Sequence, residues 1–314
     1  MMKRLFPVIA ITGVSALALG GCSAAGTADG PVIGVVFYDE AAPNTAPIRE
    51  AMHEVADTRG AQLITTDAKG DTSVELTEVE NLITRGVDAI VMQPIDGETS
   101  QRAAKLVNDA NLPLFTVNTA FPEDAEVDIT SYIGQDETEA GRAQAEYMNE
   151  QLPDGGSILF IAGTYGASWT DRRRTGFDEA INANFKIAFE FQADCSRDKA
   201  KRSTEDALQR FPAGSLVGAV AQCDETAIGT ALAIAESERD ADFTAFVSVD
   251  GDPAGLEAVQ EGIVTATMAQ DFTGQGETAA NVVLDALEGK SVDPVYARPA
   301  TLITADNVGD YLTD

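Results

Sequence analysis

The 314-residue sequence is poor in the residues on which most catalytic and metal sites depend. Its one histidine, His53, falls within a predicted surface helix, so a histidine-dependent triad or a multi-histidine metal site is excluded. The sequence also has no P-loop, no G-x-S-x-G elbow and no G-x-G-x-x-G turn between a strand and a helix. We therefore expect no catalytic residue, no metal and no cofactor. An exported enzyme with a cryptic site is the alternative from another class.

Basic residues are scarce as well. Lys and Arg total 21 against 51 Asp and Glu, which gives a formal net charge of −30. Phosphate contacts need clustered cations, so this balance argues against nucleic acid and against an anionic membrane bound through a basic surface. We interpret the excess of acid as the solvated faces of surface helices, in preference to an acidic docking surface.

Long apolar runs are absent except at the start of the chain. Lys3 and Arg4 precede a mainly apolar segment at residues 5–19, and the sequence then reads L-G-G-C up to Cys22. This resembles a bacterial lipoprotein signal over residues 1–22, cleaved before a cysteine that is then acylated. An ordinary secretory signal with an incidental cysteine is the alternative. We expect an exported protein with a flexible tether at residues 23–30, anchored in the cell membrane through Cys22 and facing the periplasm or the cell exterior.

Cysteines number only three. If Cys22 carries the lipid, Cys195 and Cys223 remain as one candidate pair in an exported chain. Three outcomes are open for them: a disulfide at the floor of a pocket, two small buried thiols, or a redox-sensitive ligand site. A disulfide needs Cα atoms within about 7 Å of each other, which the sequence does not fix.

From residue 31 onwards, short apolar runs alternate with amphipathic stretches, a pattern typical of parallel sheets covered by helices on both faces. The first series predicts strands at residues 32–38, 61–66, 89–92, 114–117 and 129–133. After a predicted helix at residues 137–152, a second series predicts strands at residues 157–161, 186–191, 216–221, 243–249 and 264–268. The fold class is therefore α/β, with two doubly wound, Rossmann-like lobes.

Open α/β sheets bind ligands at the carboxyl ends of their strands. That rule selects a set of mostly neutral or acidic hydrogen-bonding side chains: Asp39, Gln93, Asn118, Thr119, Thr164, Cys195, Cys223, Asp250 and Gln270. Such groups suit a hydroxyl-rich ligand because acids and amides can accept and donate hydrogen bonds in pairs.

Aromatic residues near these strand ends are few. Trp169, the only tryptophan, is expected on a loop that borders the cleft, where its indole can stack on a sugar ring with Tyr38 opposite. A core position is the alternative for Trp169. Ser168 and Asp171 have capping-box spacing, so Asp171 is either a helix cap or a ligand contact. In the arginine run that follows, Arg173 is the member expected to point inward.

Five stretches carry a resemblance to a known family. They read T-R-G-V-D-A-I with Q-P, L-P-L-F-T-V-N, R-R-T-G-F, A-Q-C-D-E-T-A-I-G, and V-D-G followed by A-T-M-A-Q. In this order and spacing they resemble the type I periplasmic sugar-binding proteins, the group that contains ribose-binding protein. The resemblance extends from Pro31 to about Val295.

The resemblance implies two lobes joined by three hinge strands that close over a ligand by rotation. The N-terminal lobe would comprise residues 31–135 and 271–297, and the C-terminal lobe residues 136–270 and 298–314. It implies that a membrane permease of an ABC importer recognises the closed form, and we expect a monomer.

The resemblance also assigns roles to individual residues, and some positions depart from the family. Asp250 and Gln270 keep the family residues that contact sugar hydroxyls. Asn118 stands where an aspartate is usual, Thr119 replaces a frequent arginine, and Asp171 replaces a second arginine.

Near the first strand, Pro43 and Asn44 replace the stacking pair of the family, and Cys195 replaces a third aromatic residue. Cys223 replaces the asparagine that precedes Asp224. The frame is kept and much of the ribose pocket is not, so we expect a sugar or polyol other than ribose. A nucleoside or furanosyl signal read by a chemoreceptor or sensor kinase is the alternative. The predicted binding residues are Asp250, Gln270, Asn118, Trp169, Asp171, Arg173, Tyr38, Asn44, Gln93 and Cys223.

Overall fold

A computed structural model describes residues 30–122 and 124–312 of the chain. The predicted signal peptide, its lipidation site Cys22 and all but the last residue of the predicted tether lie outside the described residues. Within the described part, none of the helices combines the length and apolar character that a membrane crossing requires.

The described residues form strands and helices in close alternation. The strands are β1 (Val32–Phe37), β2 (Gln62–Asp67), β3 (Ala89–Met92), β4 (Leu114–Val117), β5 (Ser131–Gln135), β6 (Gly156–Ala162), β7 (Phe185–Gln192), β8 (Gly218–Ala221), β9 (Ala245–Asp250), β10 (Ala266–Ala269), β11 (Val295–Arg298) and β12 (Thr301–Thr304). The helices are α1 (Thr45–Thr58), α2 (Thr72–Arg85), α3 (Gln101–Asp109), α4 (Glu137–Gln151), α5 (Ser168–Ala180), α6 (Arg197–Arg210), α7 (Asp224–Glu236), α8 (Pro253–Gln260) and α9 (Phe272–Leu287).

The first sheet has the strand order β11-β5-β4-β3-β1-β2, and all its strands are parallel. Side chains alternate between the two faces of a strand, and both faces are apolar here. On β1, Ile33 and Val35 pack towards α1 and α9, whereas Val36 packs towards α2 and α3. A near-continuous apolar run is therefore required for this strand.

The second sheet has the order β12-β10-β9-β8-β6-β7. On β6, Leu159 and Ile161 pack with residues of α6, α7 and α8, while Ile158 and Phe160 pack with α4 and α5. The edge strand β12 is antiparallel to β10. Only two residues separate β12 from β11, and no helix lies between them. A parallel strand would need a long crossover connection, which this short link does not provide.

The chain passes between the two sheets three times. The passages follow β5, β10 and β11, and two of them are joined by a hydrogen bond from the backbone N–H of Asp136 to the carbonyl of Arg298, at 3.0 Å. The predicted two-lobed α/β fold is confirmed. The residue limits assigned to the lobes stay a prediction.

Several strands begin later than predicted. Leu216, Phe243 and Val264 are apolar and buried, yet each precedes the paired residues of its strand by two positions. They belong to the hydrophobic core beneath the sheet. An apolar run in the sequence therefore predicts which residues are buried, but only some of those residues form the hydrogen bonds that pair the strand with its neighbours.

Candidate functional site

A cavity of about 670 Å³ lies between the two lobes. This volume is within the range typical of small-molecule sites. Of the nine side chains selected by the strand-end rule, all except Gln93 line it, so the rule located the cavity correctly. Among the predicted binding residues, those that the structure brings to its wall are Tyr38, Asn44, Asn118, Trp169, Arg173, Cys223, Asp250 and Gln270.

Two predicted residues lie elsewhere. Gln93 is fully buried behind the wall, where its Nε2 donates to Oδ1 of Asn118 at 3.0 Å. Asp171 is exposed on α5 and does not line the cavity.

The capping-box interpretation was wrong. The N-cap of α5 is Ala167, and Ser168 is already the first helical residue. The hydroxyl of Ser168 instead donates to the carbonyl of Ala120 in the other lobe, at 2.5 Å. Trp169 consequently sits in the first turn of α5 and not on the loop before it.

Asp250 occupies the end of β9 in an unusual backbone conformation, with a φ of 134°. The turn that follows is held by Asp224, a buried residue at the start of α7. One carboxylate oxygen of Asp224 accepts from the N–H groups of Gly251 at 2.7 Å and Asp252 at 3.1 Å. The other accepts from the hydroxyls of Ser248 and Thr267. Asp224 thus fixes the turn that presents Asp250 to the cavity.

The carboxyl groups of Asp224, Asp250 and Asp252 are buried close to one another. Burial raises the pKa of Asp224 to about 7, with Asp252 adding to the rise and hydroxyl donors opposing it. Burial also raises the pKa of Asp250 well above its usual range, while the neighbouring Arg173 opposes the rise. The cavity therefore has a protonatable acidic wall.

Arg173 points inward, and only 3% of its surface is exposed. Its Nε lies 2.6 Å from Oε2 of Glu137, and its Nη2 lies 3.9 Å from Oδ1 of Asp250. The guanidinium also donates to the carbonyl of Gln222 and stacks over the indole of Trp169, 4.9 Å from the ring centroid. A buried arginine is stable here because carboxylates on two sides compensate its charge.

Trp169 is the tryptophan of the cavity wall and is tightly packed. A methyl group built on Gly163 would lie 2.0 Å from Cη2 of the indole, so only glycine leaves room for the ring. Tyr38 lines the same cavity. Burial, followed by the nearby Asp250 charge, raises its pKa well above the usual range and keeps the phenol neutral.

A series of hydrogen-bonded side chains crosses from one lobe to the other. It runs from Asp250 through Gln270, Asn118 and Asn44 to Tyr38, and we refer to these five residues as the amide chain. Its members come from the ends of strands in both sheets and from the start of α1. Buried polar groups need partners, and these residues partner one another.

Cys195 and Cys223 form a disulfide in the structure, with Cα atoms 5.5 Å apart. The bond joins the turn between β7 and α6 to the N-cap of α7, and both residues line the cavity. Asp194 and Cys195 have φ values of 51° and 49°, so the turn adopts a left-handed conformation that is costly for such residues.

Sequence reasoning missed part of the wall. Asp252 and Phe272 lie two residues beyond selected strand ends, so a wider window would have found them. Lys199 lies in the first turn of α6 with its Nζ 2.5 Å from a carboxylate oxygen of Asp194, and no motif marks it. Gln275, buried behind the wall on α9, has no signal in the sequence either. In residues 30–122 and 124–312, no group of three His, Cys, Asp or Glu side chains is arranged to hold a metal ion.

Comparison with known proteins identifies the family to which this chain belongs. The model of the periplasmic binding protein domain matches residues 33–291. The chain belongs to this family. A xylitol-binding protein of Mycolicibacterium smegmatis is 30% identical over 308 residues, which cover 96% of this chain and 85% of the relative. A ribose import binding protein of Bacillus subtilis is 28% identical over 262 residues, 83% of each chain.

Solved structures agree with the family. A solute-binding protein of an ABC transporter from Bacillus halodurans, with bound myo-inositol, superposes with a TM-score of 0.83 at 29% identity, over 91% of this periplasmic binding protein and 98% of that chain. A solute-binding protein from Mycobacterium smegmatis with bound glycerol gives 0.82 at 27% identity, over 91% and 98%. These relatives are binding proteins and not enzymes, which fits the expectation that no catalytic residue is present.

Proposed function

We propose that this protein captures a small, neutral, polyhydroxylated ligand, a polyol or a sugar, and delivers it to an ABC importer. The observation that carries the proposal is the cavity between the lobes, whose wall combines Asp250, Gln270 and Asn44 with the indole of Trp169. Carboxylate and amide groups match hydroxyls in both directions, and an indole face suits the C–H surface of the ligand.

A polyol is favoured within this class. Pro43 and Asn44 stand where aromatic residues would stack on a sugar ring, and Trp169 provides one broad aromatic face. Relatives named for xylitol, or solved with myo-inositol and glycerol, are 27–30% identical to this chain. A nucleoside would need a more complete aromatic sandwich.

Closure of the lobes would bury the polar wall and the ligand together. A buried donor or acceptor left without a partner costs about 1–3 kcal/mol, so a ligand that lacks one matching hydroxyl should bind roughly tenfold or more weakly. The closed form would dock on the permease. A lipid on Cys22 would keep the protein at the membrane, and fractionation of cells that produce the full chain tests this anchor.

A thermal-shift panel of polyols, cyclitols, pentoses, hexoses and nucleosides, followed by calorimetric titration, tests the assignment. We expect a polyol or sugar to raise the melting temperature and to be recovered unchanged. A shift produced by nucleosides alone would contradict the ligand class, and conversion of the ligand would contradict a binding role.

Variants then test the site. Asp250→Ala and Gln270→Ala should each lower the affinity at least about tenfold, because each leaves ligand hydroxyls unpaired. Asp171→Ala is the matched control, since this carboxylate is exposed and outside the cavity. Normal binding by both cavity variants would show that the site lies elsewhere.

A further inference from the structure

Asn118 has no hydrogen-bonding capacity left for a ligand. A primary amide offers two N–H donors and two lone pairs. The Nδ2 of Asn118 donates to Oε1 of Gln270 at 3.2 Å and to Oε1 of Gln275 at 3.1 Å. Its Oδ1 accepts from Nδ2 of Asn44 and Nε2 of Gln93, both at 3.0 Å. All four positions are filled by protein, so Asn118 organises other side chains.

The direction of the amide chain is fixed at its Asp250 end. Oδ1 of Asp250 faces both Nε2 of Gln270, at 2.9 Å, and the guanidinium of Arg173. This oxygen is an acceptor in either protonation state, because a proton would occupy the other oxygen. Gln270 must therefore turn its Nε2 towards Asp250 and its Oε1 towards Asn118.

The same constraint passes along the remaining links. Asn118 has to present Nδ2 to Gln270, which leaves Oδ1 for Asn44. Asn44 then donates to Asn118 and accepts from the hydroxyl of Tyr38 at 3.3 Å. One carboxylate in the C-terminal lobe thus determines which atoms are donors as far as Tyr38 in the N-terminal lobe.

Gln275 braces this arrangement from behind. It is fully buried on α9 and does not line the cavity. Its Oε1 accepts from Asn118, and its Nε2 donates to Oε1 of Gln270 at 3.2 Å. It holds two neighbouring members of the amide chain in the same orientation.

We propose that Asn118 and Gln275 are positioning residues that set the donor and acceptor pattern which Gln270, Asn44 and Tyr38 offer to the ligand. This inference rests on the proposed function. For contact with the ligand, Gln270 has one N–H left, and Asn44 has one N–H and one lone pair left. The hydroxyl of Tyr38 donates its hydrogen bond to Asn44, so only its lone pairs remain. The pattern admits hydroxyl groups, which can donate to Tyr38, and disfavours a ligand that presents only acceptors there.

A double-mutant cycle with two isosteric changes tests the proposal. Asn118→Asp leaves no donor for Gln270 and Gln275, and a reoriented Gln270 amide would place its oxygen against Asp250. We expect the affinity for the best ligand of the panel to fall at least about tenfold. In an Asp250→Asn background the amide of residue 250 can donate to the reoriented Gln270. Asn118→Asp should therefore lower the affinity by less than about threefold in that background.

Packing alone would give equal costs in both backgrounds, and that result would overturn the proposal. Because Asp250→Asn also weakens binding itself, the cycle is repeated on the melting temperature of the ligand-free protein. We expect Asn118→Asp to lower that melting temperature by a few degrees when residue 250 is Asp, and by much less in the Asp250→Asn background. The melting-temperature cycle still tests the positioning role if no polyol or sugar binds. Failure of the proposed function can therefore be distinguished from failure of this inference.

Gln275→Met tests the role of Gln275, because methionine has a similar length but does not donate a hydrogen bond and accepts one only weakly. We expect it to change the ratio of affinities between the ligand and its singly deoxygenated analogues by about fivefold or more. Gln144→Met is the matched control, because Gln144 is equally buried and lies outside the amide chain. An unchanged ratio in Gln275→Met would contradict a positioning role for Gln275.

Discussion

At the scale of single residues, Glu75 is a buried acid that lies outside the cavity. It is 1% exposed, one carboxylate oxygen accepts from the N–H of Ile95 at 3.3 Å, and the other has no partner among the described residues. Burial raises its pKa to about 7, and a hydrogen bond with Ser100 opposes the rise. The folded protein therefore holds a proton that the unfolded chain releases near pH 4.5.

This predicts the pH dependence of Glu75→Gln. The folded state of the wild type binds more protons than the unfolded state between about pH 4.5 and 7, so the contribution of Glu75 to stability is greatest at low pH and falls as the pH rises through about 7. Glutamine does not titrate. We expect Glu75→Gln to raise the free energy of unfolding by roughly 3 kcal/mol at pH 8 and to change it little at pH 4.5.

Urea unfolding at the two pH values measures this difference. Glu80→Gln on the exposed side of the same helix serves as the control and should alter neither value. Equal destabilisation by Glu75→Gln at both pH values would contradict the interpretation of Glu75 as a buried, protonated acid.

At the scale of elements, the sequence predicted what depends on local pattern. Apolar runs such as Ile90–Met92 on β3 and the polar residues after them located both sheets and part of the cavity wall. Roles that depend on long-range contacts were out of reach. Ser168 has the spacing of a helix cap, but the approach of Ala120 from the other lobe gives its hydroxyl another partner. Gln275 meets Asn118 only because α9 packs beside β4.

The disulfide provides the prediction at this scale. It links positions 28 residues apart and restrains a left-handed turn that carries Asp194 and Cys195 to the cavity. A disulfide that closes a loop of this size contributes roughly 3 kcal/mol. The combined change Cys195→Ser and Cys223→Ser should therefore lower the free energy of unfolding by about that amount. It should also weaken ligand binding several-fold, because a turn released from the bond would have to be ordered again when the ligand binds.

Denaturant unfolding and calorimetry measure both effects. Reductant should bring the wild type to the behaviour of the double variant and leave the double variant unchanged. Full affinity in the double variant would mean that the turn keeps its conformation without the bond.

At the scale of the whole molecule, two lobes share three chain passages and few direct contacts. One direct contact is the hydrogen bond from Ser168 to the carbonyl of Ala120. Each lobe has its own hydrophobic core on either side of its sheet, so rotation about the passages disturbs neither core. The proposed closure would therefore depend on the small number of polar contacts that the lobes make with each other and with the ligand.

Ser168→Ala removes one of these contacts. A hydrogen bond of this kind contributes about 1 kcal/mol, so we expect the affinity to fall about fivefold, mainly through faster ligand release from a less stable closed form. Stopped-flow fluorescence of Trp169 measures the rate of release. Thr175→Val is the control, because its hydroxyl bonds within α5 to the carbonyl of Asp171. Slower association with unchanged release would argue against a role in closure.

The contact between Gly163 and Trp169 restricts the order in which new ligand preferences can evolve in this chain. Any side chain at position 163 collides with the indole, so diversity there becomes accessible only after Trp169 has been replaced. Selection for a bulkier or differently shaped ligand must therefore first lose the broad aromatic face and only then gain a side chain at position 163, directly after β6. Libraries that randomise the two positions together can therefore sample side chains at position 163, and libraries that change position 163 alone cannot.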